Sequence, residues 1–188
     1  MRVIVEPRRT YRLINHGPTT LISSAAGGKR NVMAASWVVA LDFDPPKLAA
    51  VIGGDTYTKE LVDASREFVV SLPTVAMVDL TYAVGNVSGR KVDKFERFGI
   101  RTAPASKVSA PLIEGCVAWL ECKATPEPRM EEEYGLYAAE VVAAWADDEV
   151  FSDGLWRFPD DTRRTIHHLS KGIFFATGER VEARETPA

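Results

Sequence analysis

Asn31-Val32-Met33-Ala34-Ala35-Ser36-Trp37 decides how the rest of this chain is read. An amide and a hydroxyl are interleaved with small and apolar residues, and the stretch ends in a tryptophan. Val38-Val39-Ala40-Leu41 follows, and Asp44-Pro45-Pro46 stops the run. That composition suits a β-strand whose backbone lets a flat, polar-edged ligand approach closely.

Further runs rich in Val, Ile and aromatics, bounded by Gly, Pro and Asp, predict strands over 19–25, 34–43, 48–52, 68–72, 116–124, 134–145 and 173–176. The 134–145 run is apolar on both faces, as in a closed barrel with covered outer surfaces. With 116–124 it forms a long antiparallel hairpin across Pro126, Pro128 and an acidic tract. Tyr57, Leu61 and Ala64 recur at helical spacing and predict a helix over 57–64. A second helix covers 75–84 behind Thr74 as N-cap, and a third covers 92–98 with Gly99 ending it. Strands outnumber helices, so the fold class is α+β, mainly β, with short peripheral helices on a β-barrel. No repeat or linker divides residues 1–188, which read as one domain with a polar, flexible tail from about 179.

Composition narrows the function classes. The 188 residues carry a net charge of −3 and no basic run, so nucleic acid is not an expected partner. The longest apolar stretch, 136–146, is broken by Glu140 and too short for a bilayer. The N-terminal residues lack the apolar segment of a signal peptide, so the expected location is the cytoplasm. Cys116 and Cys122 fit a reducing compartment; on one strand they share a face, roughly 20 Å apart, as small core residues. His167 and His168 are adjacent, point to opposite strand faces and have only His16 as a further histidine, so no metal site is expected. Neither a Gly-x-Ser-x-Gly elbow nor a Gly-x-Gly-x-x-Gly dinucleotide fingerprint occurs.

Three segments offer groups for a phosphate, a ring edge and an apolar slot. Gly53-Gly54-Asp55-Thr56-Tyr57-Thr58 follows a strand and opens a helix, which suits an anion, although Thr56 also reads as a plain N-cap. Asn31 reads either as a ligand for a ring edge or as the end of the Gly27-Gly28 turn, and Trp37 as slot wall or barrel core. Lys94 reads as a cation for the ligand or as a solvated lysine on a helix face.

Taken in order, Asn31 to Trp37, Thr58, Ser88-Gly89-Arg90, Lys94-Phe95, Pro111-Leu112-Ile113-Glu114 and His167-His168-Leu169 resemble the FMN-binding split-barrel family of flavin reductases and flavoredoxins, over roughly residues 19–178. The resemblance implies a split barrel, assembled as a homodimer with FMN at the subunit interface. It implies electrons passing from NADH or NADPH through FMN to a free flavin, a ferric complex or a protein acceptor. The other reading it leaves open is a non-enzymatic electron carrier like a flavoredoxin. Carried over residue by residue, Asn31, Ala34, Ser36 and Trp37 would hold the ring, and Thr56, Thr58, Ser88, Gly89 and Lys94 the phosphate end. Phe174 matches the family's flavin-contacting aromatic, and Tyr134 and Phe174 would form the surroundings of the ring. Tyr134 stands where family members often have His, which weakens its case as a proton donor. Ser170 and Lys171 replace glycines of the family's His-Leu-Gly-Gly segment, so a different backbone geometry is expected there.

Overall fold

Strand pairing, more than helix packing, builds this molecule. The computed structural model describes residues 1–184. Along the chain run β1 (Arg2–Ile4), β2 (Thr20–Ala26), β3 (Lys29–Ala35), β4 (Val38–Phe43), β5 (Pro46–Val51), α1 (Tyr57–Ser65), β6 (Glu67–Leu72), α2 (Val78–Gly85) and α3 (Lys94–Arg97). Then follow β7 (Thr102–Ala103), β8 (Leu112–Ile113), β9 (Ala118–Ala124), α4 (Pro128–Tyr134), β10 (Leu136–Asp147), β11 (Phe151–Ser152), β12 (Leu155–Trp156), β13 (Ile166–Ser170) and β14 (Ile173–Ala176).

One antiparallel sheet has the order β3-β2-β6-β9-β10-β5-β4, with β1 also on β10. Its two ends, β3 and β4, are consecutive in sequence yet do not pair, so the barrel is split along that seam. The run expected as one strand over 34–43 is therefore two. The chain pairs with β2 up to Ala35 and with β5 from Val38, changing partner at Ser36-Trp37. The expected hairpin of β9 and β10 is present, with Trp119 opposite Trp145.

Alternation along the strands feeds two cores. Ile22, Val70, Leu120 and Cys122 point into the barrel beside Leu48 and Tyr137. Their neighbours Leu21, Val69 and Trp119 join Val32, Val84, Phe95 and Ile113 in an outer core under α2 and α3. Cys116 lies in the outer core and Cys122 in the barrel core, which corrects the expectation of one shared face. The strand begins only at Ala118, so the alternation does not reach back to Cys116.

Local chemistry explains the other departures from expectation. The acidic tract after Pro126 forms α4, because Pro128 occupies a first-turn position where its missing N–H is not needed. Gly135 then ends that helix at φ 61°, so tightly against the chain just past β5 that a Cβ there would lie 2.6 Å from the Cα of Gly53. Thr74 makes no side-chain cap; a short 3₁₀ turn, Val75–Met77, intervenes before α2. Asp93 shortens the third helix by accepting hydrogen bonds from the N–H groups of Phe95 and Glu96. The expected tail has no regular secondary structure over 179–184, and Glu179 is held by Arg164 at 2.5 Å; residues 185–188 lie outside the described residues. No helix of the described residues is long and apolar enough to cross a membrane.

Candidate functional site

The free edge of β3 is the foundation. Val32 gives its carbonyl to Lys94 Nζ at 2.8 Å, so that backbone faces away from β2. By strand periodicity the N–H and C=O of Ala34 leave through the same edge. Opposite lies α2, where Gly85 comes so near that an added Cβ would sit 3.3 Å from Ala34 Cβ. The β13–β14 hairpin closes the third side. Together they enclose a cleft of roughly 420 Å³. Its walls are Thr19, Ala34 and Ser36 from the barrel, Thr81, Tyr82, Gly85 and Asn86 from α2 and its end, and His168, Lys171 and Phe174 from the hairpin.

Three details give the cleft a chemistry. The His168 and Phe174 rings lie 5.1 Å apart and form an aromatic wall. His168 Nε2 lies 2.9 Å from the Lys171 carbonyl, so Nε2 carries the proton. Thr81 is fully buried, and its hydroxyl has no hydrogen-bond partner. An unpartnered buried hydroxyl is costly, and a bound polar group is one way to satisfy it.

A second cluster forms at the start of β3, where three distant segments meet. Asn31 Nδ2 donates to Thr58 Oγ1 at 2.9 Å, with both side chains buried. Gly89 packs so closely that a Cβ would stand 2.1 Å from Asn31 Oδ1. Thr56 caps α1 by accepting from the N–H of Lys59 at 3.2 Å. Ser88 Oγ accepts from the N–H of Arg90 at 3.4 Å. Arg90 donates to the Asp55 carbonyl and to Glu60, pinning the 88–90 loop over the start of α1. Asn31, Thr56, Thr58, Ser88 and Gly89 are therefore one neighbourhood, at the N-terminus of a helix that favours anions.

Three expected site residues stand elsewhere. Lys94 is 4% exposed and donates to the carbonyls of Val32 and Val84 at 2.8 and 2.7 Å. Burial pushes its ammonium down to about 8. It is thus neither a solvated lysine nor a cation at the helix start; it ties β3 to α2. Trp37 is 74% exposed, neither barrel core nor a wall of the cleft within this chain, because Ser36-Trp37 is the strand junction at the seam. Tyr134 ends α4 instead of heading a strand, and its exposed hydroxyl donates to Glu133 at 2.7 Å. The expected change of backbone at Ser170-Lys171 takes a definite form. The turn has two residues, and Lys171 adopts φ 52°, a conformation that favours glycine.

Sequence reading missed the α2 wall. Thr81 and Gly85 are four apart and so share a helix face, which was a usable signal. Asn86 lies beyond the helix and carried none.

A barrel split at β3/β4, with a cleft on the free edge, places the chain among the split-barrel proteins. Residues 11–165 match the flavin reductase like domain, and the chain belongs to that family. It is 43% identical over 182 residues to the protein YddH of Escherichia coli (strain K12), covering 95% of this chain and 96% of that one. An archaeal relative from Archaeoglobus fulgidus is 35% identical over 178 residues, covering 94% and 92%. Among solved structures, the FMN-binding domain of a flavin reductases-like enzyme from Shewanella baltica OS155 superposes with a TM-score of 0.95 at 42% identity, over 98% of both chains. Flavoredoxin from Methanosarcina acetivorans superposes with a TM-score of 0.72 at 25% identity, over 88% of this chain and 87% of that one.

Proposed function

We propose that this chain binds FMN and works as an NAD(P)H-dependent oxidoreductase, passing electrons from a nicotinamide to a flavin, a metal complex or a protein acceptor. The observation that carries the reading is the cleft on the free edge of β3, with the Asn31–Thr58–Gly89 cluster further back along the same strand. The residues fit the group. The N–H and C=O of Ala34 and the Thr81 hydroxyl offer hydrogen bonds to a ring edge, and His168 and Phe174 an aromatic wall. The start of α1, with Thr56 and Thr58, suits the phosphate. FMN supplies the hydride and electron chemistry; this chain's residues bind it, orient it and limit access of water.

A homodimer belongs to the same reading. Trp37, Val39, Leu41 and Phe43 lie on one face of β4 and its junction, 74%, 56%, 55% and 58% exposed. A contiguous apolar face at a sheet edge suits a self-complementary interface. Ser36 lines the cleft beside Trp37, so a second copy on this face would adjoin the site. The buried, unpaired Cys116 and Cys122 suit the reducing cytoplasm, where we place the protein.

The test is a visible spectrum of purified protein with and without added FMN, followed by anaerobic NADH or NADPH. Stoichiometric flavin that bleaches with a nucleotide is the expected result. Bound flavin that resists both nucleotides reduces the function to electron carriage with partner proteins. Protein that neither carries nor takes up FMN refutes the proposal.

A further inference from the structure

The β13–β14 hairpin has a second side. His168 faces the flavin-family cleft, and its neighbour His167 faces away, toward a separate pocket of roughly 510 Å³. That volume is within the range of small-molecule sites. Its floor is Leu155, Trp156 and Phe158, the last two rings stacked 5.6 Å apart at 16°. Trp156 is fixed by its indole N–H on the Arg12 carbonyl at 3.0 Å, so this floor is preformed.

Glu179 and Arg180 also line the pocket, each in an ion pair, with Arg164 and Glu182 respectively. Arg157 lines the pocket, is exposed, and forms no ion pair among the described residues. Arg164 stands beside it, held in place by Asp161 and Glu179. On the inner wall a chain of hydrogen bonds fixes the state of His16. His167 Nδ1 lies 2.9 Å from the Gly17 carbonyl and so donates; with His167 neutral, its Nε2 accepts from the Thr177 hydroxyl at 2.9 Å. Thr177 then accepts from Thr165 at 2.6 Å, and Thr165 accepts from His16 Nε2 at 2.9 Å. The proton of His16 is therefore on Nε2. Its Nδ1 is a bare acceptor, buried and without a partner. Burial pushes His16 down to about 4, which keeps it neutral at pH 7.

We infer that this pocket is a second ligand site, for a planar aromatic anion that carries an N–H or O–H donor. The ring lies on the apolar floor, the carboxylate or phosphate pairs with the Arg157 guanidinium, and the donor is directed at the His16 side of the pocket, where Nδ1 is the acceptor without a partner. The site shares no lining residue with the cleft, and it stands whether or not that cleft takes FMN.

Calorimetry on the full chain in excess FMN tests it, with adenosine 5′-monophosphate as the phosphate probe and 4-aminobenzoate as the carboxylate probe. At least one should bind at one per chain, and its neutral counterpart, adenosine or aniline, at least tenfold more weakly. Arg157→Ala should weaken binding at least tenfold, and His16→Gln, which keeps the donor to Thr165 but removes Nδ1, should also weaken it. Leu155→Glu should block the pocket; if it fails to fold, the exposed Arg157→Ala decides alone. No binding of either anion at millimolar concentration overturns the inference. So does equal binding of the neutral compounds, or binding that Arg157→Ala leaves unchanged.

Discussion

Lys94→Met removes one ammonium and leaves two carbonyls behind. In the wild type Lys94 Nζ serves Val32 and Val84, in the gap between β3 and α2. Each buried carbonyl left without a donor costs about 1–3 kcal/mol. Against this, methionine escapes the penalty of burying the charge. The difference between the ordinary 10.5 and about 8 puts that penalty at about 3 kcal/mol. The two effects oppose each other, so at pH 7 the variant loses at most about 3 kcal/mol. The sharper signal is in pH. A lysine held below its unfolded value binds fewer protons when folded, so wild-type stability from this group rises between about pH 8 and 10.5. Methionine has no such gain, and the gap between the proteins should widen by about 2–3 kcal/mol from pH 7 to pH 10. Urea unfolding of both proteins at the two pH values measures the gap, and all other titrating groups cancel in the difference. A gap that does not change with pH refutes the buried lysine. A fully stable variant that binds FMN tenfold more weakly would return Lys94 to the phosphate.

Three further perturbations address the rest of the site. Gly89→Ala drives a methyl into Asn31 Oδ1, from an ideal position only 2.1 Å away, and should cost about 1–3 kcal/mol of stability. It should also weaken FMN binding at least tenfold in a fluorescence titration; unchanged affinity would remove Asn31 from the site. Lys171→Gly relieves a positive φ and should gain up to about 1 kcal/mol, read as a melting point higher by a few degrees. A lower melting point would mean that the lysine side chain makes contacts worth more than the strain. Trp37→Glu places a charge on the apolar face of β4, and sedimentation velocity should show a dimer in the wild type and a monomer in the variant. A monomeric wild type would dispose of the interface.

Legibility followed periodicity. β6, β9 and β10 stand within two residues of where alternation and bounding Gly or Pro put them, because their side chains sort between two cores; β14 also stands where expected, although it is mostly exposed. β3 was harder. Its opening Lys29-Arg30-Asn31 is polar since that end meets solvent and α1, and its true stop is a change of pairing partner, which no local pattern encodes. The same limit governs the site. Asn31, Thr58 and Gly89 were singled out through the family resemblance, since their residue types alone also allow a plain turn and cap, and the fold brings them together. Lys94 was misread because a lysine that spends its donors on backbone carbonyls looks, in sequence, like any other lysine. Tyr134 was misplaced because Pro128 reads as a breaker unless its position in a first turn is known.

The position of β10 between β9 and β5 bears on synthesis as well as on structure. During translation, Pro46–Val51 leaves the ribosome long before Leu136, its register partner through Val51. For that interval the β5 edge of the β4–β5 hairpin is bare as well as the β4 edge, beside an apolar flank, the kind of surface that invites mispairing. Arg2 likewise waits for Asp147. One late strand thus commits both early segments at once, so truncation before residue 136 should give a nascent chain that chaperones retain, and not a smaller folded protein.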